Sequence, residues 1–207
     1  MEAKLVYTVR ILNRVQETRL KLTYHHSQRV ASYAIMLARE LGMPTKEQQY
    51  IYLAGLLHDI GKLGVSNAIL FKPGKLTEDE WEEIKEHPVI SYEILSVMPC
   101  MKVISLMALY HHERYDGYGY PEGLQGEAIP LGARILAVAD SFDAMTSRRV
   151  YRPMMSRESA LEELYRCKGT QFDPYLVEVF CRAVERGEID GCKHSQMIEK
   201  VMGIAQR

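Results

Sequence analysis

The chain has 207 residues, of which 47% are hydrophobic and 26% are charged, and its formal net charge is -1. This is the composition of an ordinary globular protein and the length of one large domain. The near-zero net charge excludes a global basic field that would hold a long nucleic acid, and no apolar run reaches the roughly 20 residues that span a bilayer.

The N-terminal residues 1–22 carry apolar side chains at helical spacing. Leu5, Val9, Leu12 and Leu20 predict one helix whose other face is rich in arginine and lysine. Two interpretations stay open for this helix. It either packs on the domain that follows, or it mediates dimerisation or signalling.

The next two helices are separated by a turn. An apolar stripe from Val30 to Leu41 predicts a helix that His26 opens and that ends before Pro44. Thr45 is the expected N-cap of the following helix, because its hydroxyl can accept from the first free backbone N–H groups. This second helix runs into a short polar sequence.

The rest of the chain continues in helical patterns. Thr77 and Glu80 form a capping-box pattern that opens a long helix, with Trp81, Ile84 and Leu95 among its apolar positions. Further helices are predicted over residues 101–112, 131–145, 156–166 and 174–186. No alternating strand pattern of useful length appears. The predicted fold is therefore all-α, with about seven to nine helices.

Three irregular segments interrupt these helices. Residues 60–74 and 113–130 are rich in glycine and proline, and residues 148–153 are short and basic. Loops on a rigid scaffold are where binding groups concentrate. Each of these loops lies close in sequence to a polar group that could bind a metal ion.

Seven histidine and aspartate side chains stand in short polar groups within apolar helical sequence: His26, His58, Asp59, His87, His111, His112 and Asp140. Imidazole and carboxylate groups together form the ligand set of transition-metal sites. Seven ligands are too many for one ion and suit two ions that share a bridging carboxylate. Because a two-metal site activates water against a phosphodiester, the pattern predicts metal-dependent hydrolysis of a phosphate ester.

The positions of two adjacent pairs strengthen this interpretation. Neighbouring residues on a helix point about 100° apart, so His58 and Asp59 reach one ion most easily where a helix ends. Gly61 favours such an ending. His111 and His112 pose the same problem before a glycine-rich loop. Asp59 is the best candidate for the carboxylate that bridges two ions.

Two further positions have alternative explanations when each is taken alone. His87 precedes Pro88, which can kink the helix, and an isolated histidine there would more often be a surface residue. Asp140 lies in an apolar run, where a carboxylate is costly unless it is paired or bound to metal. Arg134 or Arg148 could be its ion-pair partner. The joint occurrence of all seven residues favours the metal site.

The sequence around these residues resembles the HD superfamily of metal-dependent phosphohydrolases. His58-Asp59 looks like its signature, and residues 111–121 look like the defining motif of the HD-GYP subgroup, complete through Gly119-Tyr120-Pro121. Residues 56–62, 72–77 and 139–146 also match the family. The similarity runs from about Ser27 to Phe180.

The resemblance implies an HD-domain helical bundle with a metal site in its core. It implies phosphodiesterase action on cyclic di-GMP, with linear pGpG and, in some members, GMP as products. The seven residues above would be the metal ligands for two divalent transition-metal ions, iron or manganese. A hydroxide that bridges the two ions would be the nucleophile.

The resemblance also implies residues that act beside the metals. Lys62 would contact the scissile phosphate and form the catalytic pair with Asp59. Tyr120 would line the substrate pocket. Arg149 and Arg152 would hold phosphate or guanine, because arginine can fork onto phosphate oxygens.

Two positions depart from the family pattern. Some members bind a third metal through a glutamate one helical turn before the first histidine, and Leu22 stands there in this chain. We therefore predict two metal ions and not three. Val150 replaces a proline in the basic segment, which keeps both arginines.

Three domains and three functional classes follow. Residues 1–22 would be the N-terminal helix, 23–186 the HD-GYP catalytic domain and 187–207 a C-terminal helical tail. The chain would be a cyclic di-GMP phosphodiesterase, an HD hydrolase of another nucleotide (cyclic GMP-AMP or a nucleoside monophosphate), or a non-catalytic binding module. With no signal peptide and no CxxC pair, we expect a cytoplasmic protein. A homodimer and a signalling partner protein are compatible with the resemblance.

Overall fold

The amphipathic segments of the sequence form α-helices in the computed structural model, which describes residues 3–147 and 154–187. In chain order these are α1 (Ala3–Arg19), α2 (Lys21–Glu40), α3 (Thr45–Leu57), α4 (Glu78–Lys85), α5 (His87–Ser96), α6 (Lys102–Leu109), α7 (Leu131–Thr146), α8 (Arg157–Arg166) and α9 (Pro174–Glu185). A single helical turn lies at Asn67–Leu70, and 3-10 turns lie at Ile60–Gly64, Pro99–Met101 and Gly126–Ala128. The two ranges contain isolated β-bridges but no strand, so the all-α prediction is confirmed.

Helices α2 and α3 form the centre of the bundle. Val30 and Leu37 of α2 are fully buried, as their spacing predicts. A Cβ atom at Gly55 of α3 would lie only 2.6 Å from the Cα atom of Ala31, so the absence of a side chain lets the two helices approach closely. As a result, the C-terminal end of α3 is held beside the helix that carries His26.

An aromatic group joins α7 and α9 to α2. The Phe142 ring lies edge-to-face with Tyr33, with 5.3 Å between ring centres, and with Phe180, with 5.1 Å between ring centres. Such pairs contribute about 0.5–1.5 kcal/mol beyond the area that they bury. This packing fixes the face of α7 that carries Asp140 against α2.

The N-terminal helix α1 packs on α2 and α3. Leu5, Val6 and Val9 are buried in this contact, whereas Val15 is 39% exposed. Neither α1 nor any other described helix is both long enough and apolar enough to cross a membrane. The predicted C-terminal tail, residues 187–207, lies outside the described residues except for Gly187.

Two predicted helix starts are wrong. Helix α2 begins at Lys21 and not at His26, because buried Leu20 anchors an additional turn ahead of the apolar stripe. Thr45 lies inside α3, where the N-cap is Pro44 in an extended conformation and no side chain caps the helix. Proline already fixes the backbone angle at that position, so the chain enters the helix one residue earlier than the capping pattern indicates.

The long helix predicted from Thr77 is in fact two helices. The capping box of Thr77 and Glu80 is present at the start of α4, as predicted. Glu86 separates the two helices as the C-cap of α4 and the N-cap of α5, and Pro88 lies in the first turn of α5. Proline is tolerated there because the first backbone N–H groups of a helix have no partner within the helix. The break places His87 at the start of α5.

Candidate metal centre

All seven side chains that the sequence pattern selects converge in one cluster. Their ligand atoms form three overlapping groups, within each of which all atoms lie within 4.8 Å of one another: His87, His111 and His112; His26, His58 and Asp140; and His58, Asp59 and His111. The residues come from α2, the end of α3, the start of α5, the end of α6 and the middle of α7. The cluster is able to bind metal ions.

Two helix ends bring adjacent ligands together. His58 is the C-cap residue of α3, and Asp59 has already left the helix, with φ -99° and ψ 10°. Helix α6 likewise ends with Tyr110 as its C-cap, so that His111 and His112 follow it in a turn. The prediction that both pairs stand where a helix ends is confirmed.

Asp59 is 1% exposed and presents its two oxygen atoms to different imidazoles. Oδ1 lies 3.1 Å from Nε2 of His87 and 4.0 Å from Nε2 of His111. Oδ2 lies 3.5 Å from Nε2 of His58 and 3.8 Å from Nε2 of His26. This is the arrangement that a carboxylate needs in order to bridge two cations.

The cluster therefore divides into two subsites that share Asp59. Subsite A consists of His26, His58, Asp140 and Oδ2 of Asp59. Subsite B consists of His87, His111, His112 and Oδ1 of Asp59. Subsite A contains one carboxylate more than subsite B, so it is the more anionic of the two.

The backbone fixes the orientation of three imidazoles. In each, Nδ1 donates to the carbonyl oxygen three residues earlier: His58 to Gly55 at 2.8 Å, His87 to Ile84 at 2.6 Å and His111 to Ala108 at 2.7 Å. A carbonyl can only accept, so the neutral ring carries its proton on Nδ1 and its lone pair on Nε2. All three Nε2 atoms point into the cluster.

The buried donor atoms fit divalent transition-metal ions. Nε2 of His58, His87 and His111 and Oδ1 of Asp59 are buried and make no hydrogen bond. Buried polar atoms without partners are costly, and the cost disappears when their lone pairs coordinate a cation. Imidazole nitrogens together with carboxylate oxygens suit iron, manganese and zinc.

The protonation states of His111 and His112 also fit metal binding. Burial, together with the neighbouring His87, lowers the pKa of His112 to about 3. Burial and the adjacent His112 hold the pKa of His111 well below its usual range. Neutral imidazoles are the form that a metal ion requires.

Lys62 lies at the edge of the cluster. Burial opposes ionisation of Asp59, but the Lys62 ammonium, together with the neighbouring imidazoles, outweighs it and holds the pKa of this carboxyl group well below its usual range. The Lys62 ammonium lies 2.5 Å from Oδ2 of Asp59, and its side chain is 23% exposed. A cation in this position faces both the ligand cluster and the solvent.

Asp143 and Arg29 belong to the site but were missed in the sequence. Asp143 is fully buried, and its Oδ2 accepts from Nδ1 of His26 at 2.7 Å. Arg29 donates through Nε to Oδ1 at 2.6 Å and through Nη2 to Oδ2 at 3.0 Å. The available signal was the spacing, because Asp143 stands three residues after Asp140 and therefore on the same side of α7.

Ser91 of α5 was also missed. Its hydroxyl accepts from the backbone N–H of Gly61 at 2.8 Å and donates to the carbonyl of His58 at 2.8 Å. Gly61 was predicted to favour the end of a helix, but the structure requires a glycine there for a different reason, which is close packing. A Cβ atom there would lie 2.0 Å from the carbonyl oxygen of His87, so the missing side chain permits the close approach of α5.

The structure describes some of the residues that were predicted to act beside the metals. The Tyr120 ring stacks on His112, with 4.9 Å between ring centres, and Nζ of Lys85 lies 6.0 Å from the centre of the Tyr120 ring. Arg149 and Arg152 lie outside the described residues. Leu22, at the position of the third-metal glutamate in some family members, is 69% exposed.

The structure describes one of the two arginines that could have been an ion-pair partner of Asp140. Arg134 pairs with Asp173 of the α9 N-cap, with 2.5 Å between Nη1 and Oδ2. Arg148 lies outside the described residues. Oδ1 of Asp140 lies 2.9 Å from Nε2 of His26, inside the ligand cluster.

The family comparison agrees with this geometry. The family model described as HD domain matches residues 10–176. The chain belongs to the HD domain family. The matched range includes all seven clustered residues, and the recognition of this family from the sequence motifs is confirmed.

Curated relatives in the HD domain family are named as enzymes acting on cyclic dinucleotides. The chain is 48% identical over 157 residues to the cyclic di-GMP phosphodiesterase response regulator RpfG of Xanthomonas campestris, covering 75% of this chain and 42% of that protein. It is 43% identical to a cyclic di-GMP phosphodiesterase of Thermotoga maritima, covering 83% and 47% of the two chains. It is 41% identical to the 3'3'-cGAMP-specific phosphodiesterase 3 of Vibrio cholerae, covering 84% and 38%. The chain thus spans less than half the length of each relative.

Solved structures show the same fold at lower identity. The cyclic GMP-AMP phosphodiesterase V-cGAP3 of V. cholerae superposes with a TM-score of 0.67 at 22% identity, covering 87% of this chain and 49% of that chain. The HD domain of the L. monocytogenes phosphodiesterase PgpH, in complex with cyclic-di-AMP, has a TM-score of 0.55 at 18% identity, covering 95% and 97%. These matches confirm the HD-domain helical bundle.

Proposed function

We propose that this chain is a metal-dependent phosphodiesterase that hydrolyses cyclic di-GMP to linear pGpG, with GMP as the product of a second cleavage. The observation that carries the proposal is the position of Asp59, whose two oxygens face two separate groups of imidazoles. A shared carboxylate between two imidazole groups suits a pair of metal ions, and a metal pair suits phosphate-ester hydrolysis. The names of the curated relatives supply the substrate class.

The metal pair would be held by the seven clustered residues. We propose iron or manganese, in a ratio of two ions per chain, because the donor set combines imidazole with carboxylate and Leu22 offers no ligand for a third ion. Two bound ions would supply an activated water and stabilise both the attacking and the leaving oxygen. Action on a bacterial second messenger would place the protein in the cytoplasm, and a homodimer or signalling partner remains a prediction from the resemblance.

The remaining residues of the site would act on the phosphate and the bases. Lys62 would offset the charge that develops on the phosphoryl oxygens, because its ammonium lies at the cluster edge. Tyr120, stacked on His112, would form one wall of the pocket. Arg149 and Arg152 would bind phosphate through forked hydrogen bonds. This division of roles assigns chemistry to Lys62 and binding to the two arginines.

A second candidate substrate is the hybrid cyclic GMP-AMP. Relatives named 3'3'-cGAMP-specific phosphodiesterases are 41–46% identical to this chain, a range close to that of the cyclic di-GMP enzymes. The metal cluster would act on the phosphate groups, which both dinucleotides contain. Recognition of the bases therefore decides which of the two is the substrate. Both dinucleotides therefore belong in the same assay.

The test is anaerobic incubation of the manganese- or iron-loaded chain with each dinucleotide, with products separated by chromatography. We expect pGpG from cyclic di-GMP, and we expect its formation to stop with a chelator or in the Asp59→Asn variant. The exposed Asp79 of α4 offers a matched control, since Asp79→Asn should keep full turnover. Faster cleavage of cyclic GMP-AMP would establish the second candidate. Two bound metals with no turnover of either substrate would refute cyclic-dinucleotide hydrolysis and leave a hydrolase of a nucleoside monophosphate or a binding module.

A further inference from the structure

We propose that Asp143, held by Arg29, is a positioning residue that orients His26 and sets the metal affinity of subsite A. This inference rests on the proposed metal-dependent function, since it concerns the same cluster. Neither residue is one of the seven ligands. Their effect on the metal would pass through the ring of His26.

His26 differs from three other imidazoles of the cluster in what holds its Nδ1 atom. His58, His87 and His111 each donate to a carbonyl of their own preceding helical turn. His26 instead bonds to the buried carboxylate of Asp143 on another helix, 117 residues away in sequence, at 2.7 Å. A carboxylate partner fixes the ring and makes its other nitrogen a stronger ligand than a carbonyl partner does.

The carboxylate of Asp143 is itself held in one orientation. Its two oxygens accept hydrogen bonds from Nε and Nη2 of the Arg29 guanidinium group. The Ser147 hydroxyl also donates to Oδ1 at 3.1 Å. The side chain of Asp143 is 1% exposed and that of Arg29 is 44% exposed, so the fork closes the carboxylate off from solvent. With Nδ1 bound in this way, Nε2 of His26 faces Asp140 at 2.9 Å within subsite A.

Loss of the Asp143 carboxylate should therefore lower the binding affinity for one metal ion and leave that for the other nearly unchanged. Changes to residues that support a metal ligand typically reduce metal affinity about 10- to 100-fold. We expect a loss of this size at subsite A in Asp143→Ala. Asn keeps an acceptor for His26 but lacks the charge, so Asp143→Asn should fall between Asp143→Ala and the wild type. The side-chain hydrogen bonds described for Asp143 go to His26, Arg29 and Ser147, none of which belongs to subsite B, so the affinity of that subsite should change less than about threefold.

The experiment is a titration of the chelator-treated full chain with Mn²⁺, in which free Mn²⁺ is measured by electron paramagnetic resonance. The matched control is Asp173→Asn, which removes the charge of a buried arginine–aspartate pair between α7 and α9 where no histidine is involved. Arg134 and Asp143 are nine residues apart on α7, about 13 Å along the helix axis. The control should lose thermal stability and still bind two Mn²⁺ ions.

Each outcome bears on the inference. One weakened and one preserved Mn²⁺ site in Asp143→Ala, with an intermediate Asp143→Asn, supports it. Two preserved sites overturn it, and so do two equally weakened sites, because that pattern indicates general destabilisation. The result is independent of turnover, so two Mn²⁺ ions with no cleavage would refute the proposed activity alone. A wild-type chain that binds no Mn²⁺ would overturn both.

In an active enzyme, kcat should fall in Asp143→Ala while KM stays unchanged, since Asp143 lies behind the metal ligands.

Discussion

Replacing Ser91 with alanine tests how the candidate site is attached to its scaffold. Ser91 is fully buried on α5, and its hydroxyl joins the backbone N–H of Gly61 to the carbonyl of His58. Both backbone groups lie where α3 passes into the 3-10 turn beside Asp59. Alanine fits the same space but makes neither hydrogen bond. The variant therefore leaves a buried donor and a buried acceptor unpaired.

The expected cost follows from these two groups. A buried polar group left without its partner costs about 1–3 kcal/mol, so two such groups give about 2–6 kcal/mol. Because single substitutions rarely exceed about 4 kcal/mol, we expect Ser91→Ala to lower the free energy of unfolding by roughly 2–4 kcal/mol. Ser105 of α6 is the matched control because it is equally buried, and its hydroxyl donates only to the carbonyl of Lys102 in its own helix. Ser105→Ala should cost less than about 1 kcal/mol, the net value of an ordinary hydrogen bond.

Urea unfolding followed by circular dichroism measures the difference. The proteins are unfolded in the presence of a chelator, because bound metal would add its own contribution to the stability of the folded state. Metal content is then measured on reconstituted samples, and Ser91→Ala should bind less metal than Ser105→Ala because His58 loses its support. Equal unfolding free energies for the two variants would refute the reasoning. It would mean that the Gly61 and His58 backbone groups find other partners.

Three further changes test the site directly. Lys62→Ala should reduce kcat roughly 100-fold while two metals remain bound, and a loss of metal would show that Lys62 is structural. Gly61→Ala should cost about 1–3 kcal/mol and displace His87, because the new Cβ atom would lie 2.0 Å from its carbonyl oxygen; an unchanged melting temperature would contradict this. The metal-free chain should be most stable near pH 6.5. Burial lowers the pKa of His112 to about 3, so the unfolded chain gains protons first as the pH falls below 6.5. Burial opposes protonation of His26, but its two aspartate partners raise its pKa to about 9, so stability also falls as the pH rises from 6.5 to 9; melting temperatures across this range check both slopes.

The clustering of the seven residues could be predicted because their residue types are costly where they stand. A carboxylate such as Asp140 in an apolar helical run needs a partner, and adjacent pairs such as His58 and Asp59 need a helix end to reach a common ion. These requirements are visible in the sequence itself. Ser91 carries no such signal, because a serine in an apolar helix is common and its partners lie 30 and 33 residues away in sequence.

Helix boundaries were predicted where local chemistry decides them. The capping box of Thr77 and Glu80 is a short-range interaction, and it is present as predicted. The break at Glu86 has a local signal in Pro88, but the position of His87 beside Asp59 has none. Gly61 lets the His87 carbonyl approach closely, and Nε2 of His87 lies 3.1 Å from Oδ1 of Asp59, so the placement of His87 depends on contacts with a segment that is distant in sequence. Periodicity alone does not contain that tertiary constraint.

The two subsites differ in how far their geometry depends on long-range packing. Subsite B takes the orientation of His87 and His111 from carbonyls only three residues earlier in the chain, so these rings are fixed by the local backbone. Subsite A needs His26 of α2 and Asp143 of α7 to meet, and the contact of Tyr33 with Phe142 holds these two helices together. A disturbance that separates α2 from α7 therefore reaches subsite A first. The proposed two-metal reaction would need both ions, so the packing of α2 against α7 would control whether the whole centre can work.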